Sequence, residues 1–127
     1  MRTAFNLAER SIDPRTQVGC VVISGDDNAS VLAIGYNGQE KGGPNEVDSL
    51  EPGQSGCLHA EENAIIKLDF NSHKRKVMYV TVSPCLMCAK RIVNAAIDEV
   101  VYATAYRDPV GLERLKMRGV KVRQFNG

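Results

Sequence analysis

The sequence predicts an α/β protein in which a five-stranded mixed sheet carries helices on both faces. Three observations predict it. Apolar, β-branched runs of strand length recur five times, and segments with helical apolar spacing alternate with them in the second half. The 127 residues contain no repeat, low-complexity tract or composition shift that would mark a linker, so one domain over 1–127 is expected.

Residues 1 to 10 place Ala4, Phe5, Leu7 and Ala8 at helical spacing, ending before the turn former Asp13-Pro14. Gln17 to Ile23 is a nearly continuous apolar run that reads as a strand; the turn cluster Ser24 to Asn28 and a second strand, Val31 to Tyr36, complete a hairpin. From Asn37 to Gly56 there are 20 residues with five Gly and two Pro, a loop long enough to be a lid or a ligand-facing segment. Leu58 to Phe70 is helical by its spacing, and Val77 to Val82 is the clearest strand, expected at the centre of the sheet. Ser83-Pro84 opens a helix running to about Asn94, Val100 to Ala103 is strand-like, Val110 to Met117 helical, and Val120 to Phe125 alternates as an edge strand should. Strands separated by helices imply parallel crossovers.

Composition narrows the function. Sixteen Lys and Arg against 15 Asp and Glu leave a net charge of +1, too little to attract phosphate polyanions or a membrane surface at long range. No apolar run reaches the roughly 18 residues needed to span a bilayer, and no signal-peptide core opens the chain, so a soluble, cytoplasmic protein is expected. There is no Trp, and aromatics make up 6%, which disfavours stacking on RNA. Of the four cysteines, two stand as Cys85-x-x-Cys88, which in a reducing compartment points to metal or redox chemistry.

Cys85 and Cys88, three apart at an expected helix start, would put both sulfurs on one face, where the helix N-terminus favours their thiolates. His59, 26 residues before Cys85, also opens an expected helix. Two thiolates and an imidazole suit zinc. Three protein ligands leave the fourth place for water, which there loses a proton near neutral pH and becomes a hydroxide nucleophile. Glu61, in the same turn as His59, is placed to take that proton and pass it to a leaving group. This fits hydrolytic removal of an amine from a ring carbon. Rival readings stay open: Cys57 could close a structural site of three Cys and one His, making a non-catalytic zinc module, and the Cys pair could be a redox dithiol.

His59-Ala60-Glu61 followed by Pro84-Cys85-Leu86-Met87-Cys88 resembles the zinc-dependent nucleoside and nucleotide deaminases. Arg10 to Gly19, Gly35-Tyr36-Asn37-Gly38, His59 to Ile65 and Met78 to Thr81 resemble, more narrowly, the deoxycytidylate deaminase branch. The resemblance covers nearly the whole chain. It implies a cytidine-deaminase-like three-layer α-β-α sandwich, one catalytic zinc ion (Zn2+) on His59, Cys85 and Cys88, Glu61 as proton shuttle, and conversion of dCMP and water to dUMP and ammonia. It also implies a sugar contact at Asn37, main-chain readers of the base at Ala60 and Ser83, a pocket wall at Val18, and a homo-oligomer, a hexamer in many members. Deaminases of cytidine, guanine or transfer-RNA adenosine are the alternatives within the family.

In many members the Gly-Tyr-Asn-Gly region binds dCTP or dTTP as effectors, which marks Tyr36 and Gly38 as effector or phosphate contacts. The chain departs from the family's usual Gly-x-Pro-x-Gly at Gly38-Gln39-Glu40-Lys41-Gly42. For a 5'-phosphate grip the dense cluster His73-Lys74-Arg75-Lys76 reads as solvated surface, and Lys67 and Arg107 compete with it. Apolar Ile92, Val93, Ala96 and Ile97, with the Val100-Val101 strand, offer surface for self-association.

Overall fold

A computed structural model describes residues 1–26, 29–51, 54–69, 71 and 74–126; Asp27 and Asn28 of the turn cluster, Pro52 and Gly53 of the long loop, Phe70 at the expected helix end, and His73 of the basic cluster lie outside these. The elements run α1 Arg2–Ala8, β1 Gly19–Ser24, β2 Val31–Tyr36, α2 Ala60–Ile66, β3 Lys76–Val82, α3 Leu86–Asn94, β4 Glu99–Thr104, α4 Val110–Met117 and β5 Lys121–Gln124.

The sheet order is β2-β1-β3-β4-β5, which puts β3 at the centre and β5 at an edge. β1 is antiparallel to both neighbours, with Cys20 opposite Gly35 on one side and Val80 on the other. β3, β4 and β5 run parallel. Each crossover from β2 to β3, β3 to β4 and β4 to β5 advances the same way across the sheet, so the right-handed rule sends α2, α3 and α4 to one face. Accordingly α2 packs on α3 and α3 on α4, while α1 lies on β1, β2 and β3.

Two glycines identify the faces. Gly19 lies against Ala4 of α1 and Gly35 against Ala60 of α2, too close for any β-carbon. Since Cys20 is the partner of Gly35, side chains at 19 and 35 point to opposite faces. The layers are therefore one helix, the sheet, and three helices.

The main core lies between the sheet and α2, α3 and α4. Met78, Val80, Ile92, Val100 and Leu115 are fully buried in it. Ile92, Ile97, Val100 and Val101, expected to supply surface for self-association, are consumed by the chain's own interior. Wrapping β4 on both faces needs that many apolar side chains.

Several boundaries differ from the sequence expectation. α2 starts at Ala60 rather than Leu58, because Leu58 pairs with Gly38 in an isolated bridge and His59 is extended (φ −74°, ψ 154°). α3 starts at Leu86, with Cys85 as its extended N-cap. β1 starts two residues late, since Val18 donates to the Asn37 side chain instead of a strand neighbour. No helix among the described residues is long and apolar enough to cross a membrane.

Candidate active site

Two helix starts meet at one end of the sheet. His59 precedes α2, and its N–H donates to the Glu62 carboxylate at 2.9 Å, closing the first turn. Cys85 precedes α3, and its sulfur accepts from the Cys88 N–H at 3.5 Å. Unpaired amides at both starts favour negative ligands between them.

His59 Nδ1 lies 3.1 Å from Cys88 Sγ and 3.7 Å from Cys85 Sγ, and the three ligand atoms fall within 4.8 Å of one another. Tetrahedral zinc with its usual bond lengths would hold such atoms about 3.5–3.8 Å apart, so residues and spacing fit that ion. Cys57 lines the adjoining cavity, but among the described residues its sulfur does not join the cluster. The three-ligand arrangement is the one the geometry builds.

The three side chains polarise one another. Hydrogen bonds from Cys88 and then from His59 pull the Cys85 thiol down to about 3, which makes it a thiolate. Sharing with Cys85, and then burial, push Cys88 well above the ordinary thiol range. The Cys85 sulfur in turn raises the His59 imidazole, against its partial burial. His59, Cys85 and Cys88 would exchange those shared protons for a soft dication bound among them.

Glu61 is 5% exposed and faces the same cavity from the first turn of α2. Burial pushes its carboxyl up to about 7, against the opposing pull of its backbone hydrogen bond and His59. A carboxyl so disposed exchanges a proton near neutral pH.

The cavity has a volume of about 270 Å³. Asn37 clamps its floor: Oδ1 accepts from the Val18 N–H at 2.8 Å and Nδ2 donates to the Thr16 carbonyl at 2.7 Å. Ser83 gives its N–H to Thr104 and accepts the Tyr106 N–H on its hydroxyl, leaving its carbonyl as the main-chain group open to a ligand. Val47, Leu50 and Glu51 of the long loop also line the cavity.

Residues 1–104 match the family model described as the cytidine and deoxycytidylate deaminase zinc-binding region. The chain belongs to that family. The deoxycytidylate deaminase of Saccharomyces cerevisiae is 36% identical over 99% of this chain and 43% of its own length. The human deoxycytidylate deaminase is 35% identical over 98% of this chain and 76% of its own. The chain thus spans less than half the yeast relative. Cyanophage S-TIM5 dCMP deaminase, solved with dCMP and dUMP, superposes with a TM-score of 0.84 at 33% identity, covering 98% of this chain and 92% of the phage chain.

Membership in this zinc-binding deaminase family and the fitting ligand set agree on a zinc site at His59, Cys85 and Cys88. Of the residues singled out in the sequence, Val18, Asn37, His59, Ala60, Glu61, Ser83 and Cys85 line the cavity, with Cys88 buried behind it. Tyr36, Gly38, Lys67 and Arg107 are not among its lining residues. The Tyr36 carbonyl accepts from Asn63, Gly38 pairs with Leu58, and the Lys67 ammonium donates to the Ile34 carbonyl at 3.3 Å. Lining residues without a role in the sequence reading include Asp13, Arg15 and Tyr106. Arg15 stands within the family-like stretch 10–19, and Tyr106 just beyond β4; only chain closure brings either to the cavity.

Proposed function

We propose that residues 1–127 form a single hydrolytic deaminase domain that converts dCMP and water to dUMP and ammonia. The observation that carries this reading is the buried Glu61 carboxyl facing a cavity beside a three-ligand zinc set. The named activities of the yeast, human and phage relatives support the substrate.

A zinc ion bound there supplies acidity, bringing water's proton loss toward neutral pH. Glu61 would take one water proton as the C4–O bond forms and hand it to N3, then take the remaining hydroxyl proton and hand it to the amino nitrogen, so that the C4–N bond breaks, ammonia leaves and the C4 carbonyl forms. The Ala60 N–H and the Ser83 carbonyl orient the pyrimidine edge, and Val18 and Asn37 bound the base and sugar. Unpaired groups on a wrong base would cost about 1–3 kcal/mol each.

The same reading takes the protein to be cytoplasmic, to act on a mononucleotide rather than a polynucleotide, and to assemble into a homo-oligomer, with a hexamer and dCTP or dTTP control carried over from the family resemblance. Exposed Leu50, Ile66 and Met87 supply apolar surface for assembly. A monomeric mass by light scattering at micromolar concentration would remove the oligomer. The reaction is tested by ammonia release from dCMP, CMP, dCTP, deoxycytidine, cytidine and guanine with zinc-loaded protein, with and without dCTP as effector. The highest kcat/KM is expected for dCMP; no release from any cytosine compound overturns the reading.

A further inference from the structure

We propose that Gln39 is a positioning residue for the substrate: its side-chain amide bridges two points of the long loop and thereby fixes the part of that loop that lines the cavity. The inference rests on the deaminase reading and concerns how tightly the enzyme holds its nucleotide, not the chemical step.

The loop is tied where it leaves and rejoins the fold. Gly38 and Leu58 exchange both main-chain hydrogen bonds, at 3.0 and 2.8 Å, just before His59. Between those ends Val47, Ser49, Leu50, Glu51 and Ser55 line the cavity, yet the described residues 39–51 and 54–57 belong to no helix or strand. With no ladder to hold it, that lining depends on single hydrogen bonds.

Gln39 supplies two of them. Its Nε2 donates to the Glu46 carbonyl at 3.1 Å and to the Asp48 carboxylate at 2.9 Å, so the residues on either side of Val47 are both held. An amide carrying two N–H groups suits that bridge, and the carboxylate makes the second bond charge-assisted. Asp48 passes the restraint on: its N–H donates to the Ser55 carbonyl at 2.7 Å, and its carboxylate lies against Gly56 with no room for a β-carbon. Gly56 has φ +73°, which a glycine takes without strain. Among the described residues no other side chain hydrogen-bonds to residues 46–48.

A second tie joins this lining to the body of the domain. The Leu50 carbonyl accepts from Arg15 Nε at 3.3 Å, and the buried Asp13 carboxylate accepts from the Arg15 N–H at 2.8 Å, fixing the turn that carries Arg15. Gln39 thus shapes the loop internally while Arg15 docks it. A loop preformed in this way loses less conformational freedom when a ligand arrives, so freeing it weakens binding and leaves the proton transfers at Glu61 untouched.

The test compares zinc-loaded wild type, Gln39→Glu, Asp48→Ala, Asp48→Asn and the double variant Gln39→Glu/Asp48→Asn. The readouts are KM and kcat for dCMP, dUMP affinity by calorimetry, and hydrogen exchange of residues 46–51 by mass spectrometry. Gln39→Glu keeps the shape, loses both donors and sets a carboxylate beside Asp48. KM and the dUMP Kd are expected to rise about three- to tenfold, with kcat within about twofold of wild type. Asp48→Ala should act in the same direction but less, because the Glu46 carbonyl keeps its bond. Asp48→Asn retains an accepting oxygen and should hold KM near wild type. In the double variant the pair is reversed, the new amide donating to the new carboxylate, and most of the KM increase should disappear. Melting within a few degrees of wild type shows that the fold persists. An unchanged KM in Gln39→Glu, a kcat that falls as far as KM rises, or no recovery in the double variant overturns the assignment. If wild type releases no ammonia from dCMP, the deaminase reading fails by itself. Exchange then still decides Gln39: faster exchange at 46–51 in Gln39→Glu, reversed in the double variant, supports it, and equal exchange is fatal.

Discussion

Gly35 of β2 lies so close beneath α2 that a β-carbon there would collide with the Ala60 carbonyl oxygen and the Ala64 nitrogen. The helix start that carries His59 and Glu61 is therefore seated on a bare backbone. Gly35→Ala must push α2 off the sheet, an overpacking cost of about 1–3 kcal/mol, and must displace His59 from Cys85 and Cys88. A melting temperature lower by several degrees is expected together with zinc below one ion per chain. Full zinc content at an unchanged melting temperature would show that the contact does not seat the site.

The cluster geometry separates Cys57 from the ligands. Cys57→Ser should keep one zinc per chain by elemental analysis, whereas Cys85→Ser and Cys88→Ser should lose most of it at micromolar zinc, because two ligands hold the ion far more weakly than three. Removal of zinc by a chelator should abolish turnover and leave far-ultraviolet circular dichroism largely intact, since the core around Met78, Ile92 and Leu115 contains none of the three ligands. Zinc lost equally from Cys57→Ser would mean a closed, four-ligand site.

Glu61→Ala removes the proton carrier and no zinc ligand. Zinc content and melting behaviour should stay near wild type while kcat falls by at least about 10²–10⁴-fold. Glu61→Gln should fall comparably, because an amide fills the volume and cannot move the proton. Retained turnover in either variant rules out the proposed shuttle.

The chemistry was legible wherever it is written within a helical turn. Cys85-x-x-Cys88 and His59-x-Glu61 fix their own spacing, so ligand identity follows from local sequence. The order of elements was legible for a similar reason: continuous β-branched runs such as Val77 to Val82 have one comfortable conformation. What escaped depends on chain closure. The start of α2 is set by a bridge between Leu58 and Gly38, 20 residues apart, and the cavity position of Arg15 by the Asp13 turn and a carbonyl 35 residues away. The apolar content of α3 and β4 was visible, but whether it faces the chain's own core or another subunit is decided by how many helices share that face.

Asn37 matters first as a structural clamp. Asn37→Ala removes the partners of the half-buried Val18 N–H and of the Thr16 carbonyl, two hydrogen bonds worth about 0.5–1.5 kcal/mol each. Because the clamp carries the Val18 wall and the Arg15 turn, KM for dCMP should rise along with the loss of stability. Denaturant melts and steady-state kinetics check both. A variant that lost activity with stability unchanged would make Asn37 a ligand contact and nothing more.

Glu99, at the opposite end of the parallel strands, gives the pH dependence. Its side chain is 9% exposed and accepts from Arg123 at 2.8 Å and Arg75 at 3.3 Å. Burial alone would raise the carboxyl, but the hydrogen bonds from Arg123 and Arg75 outweigh it and hold Glu99 below the usual carboxylate range. A depressed folded-state pKa means stability that is present above the unfolded value of about 4.3 and lost as pH falls through the folded one. Both guanidinium groups are about half exposed, so solvent and salt screen the pairs and the contribution is modest. Glu99→Gln should therefore melt below wild type at pH 7, and the gap should narrow from about pH 4.5 downward as Glu99 takes up its proton. Added salt should narrow it at neutral pH as well. A gap independent of pH between 7 and 3 would mean that packing of the side chain, not its charge, is what Glu99 contributes.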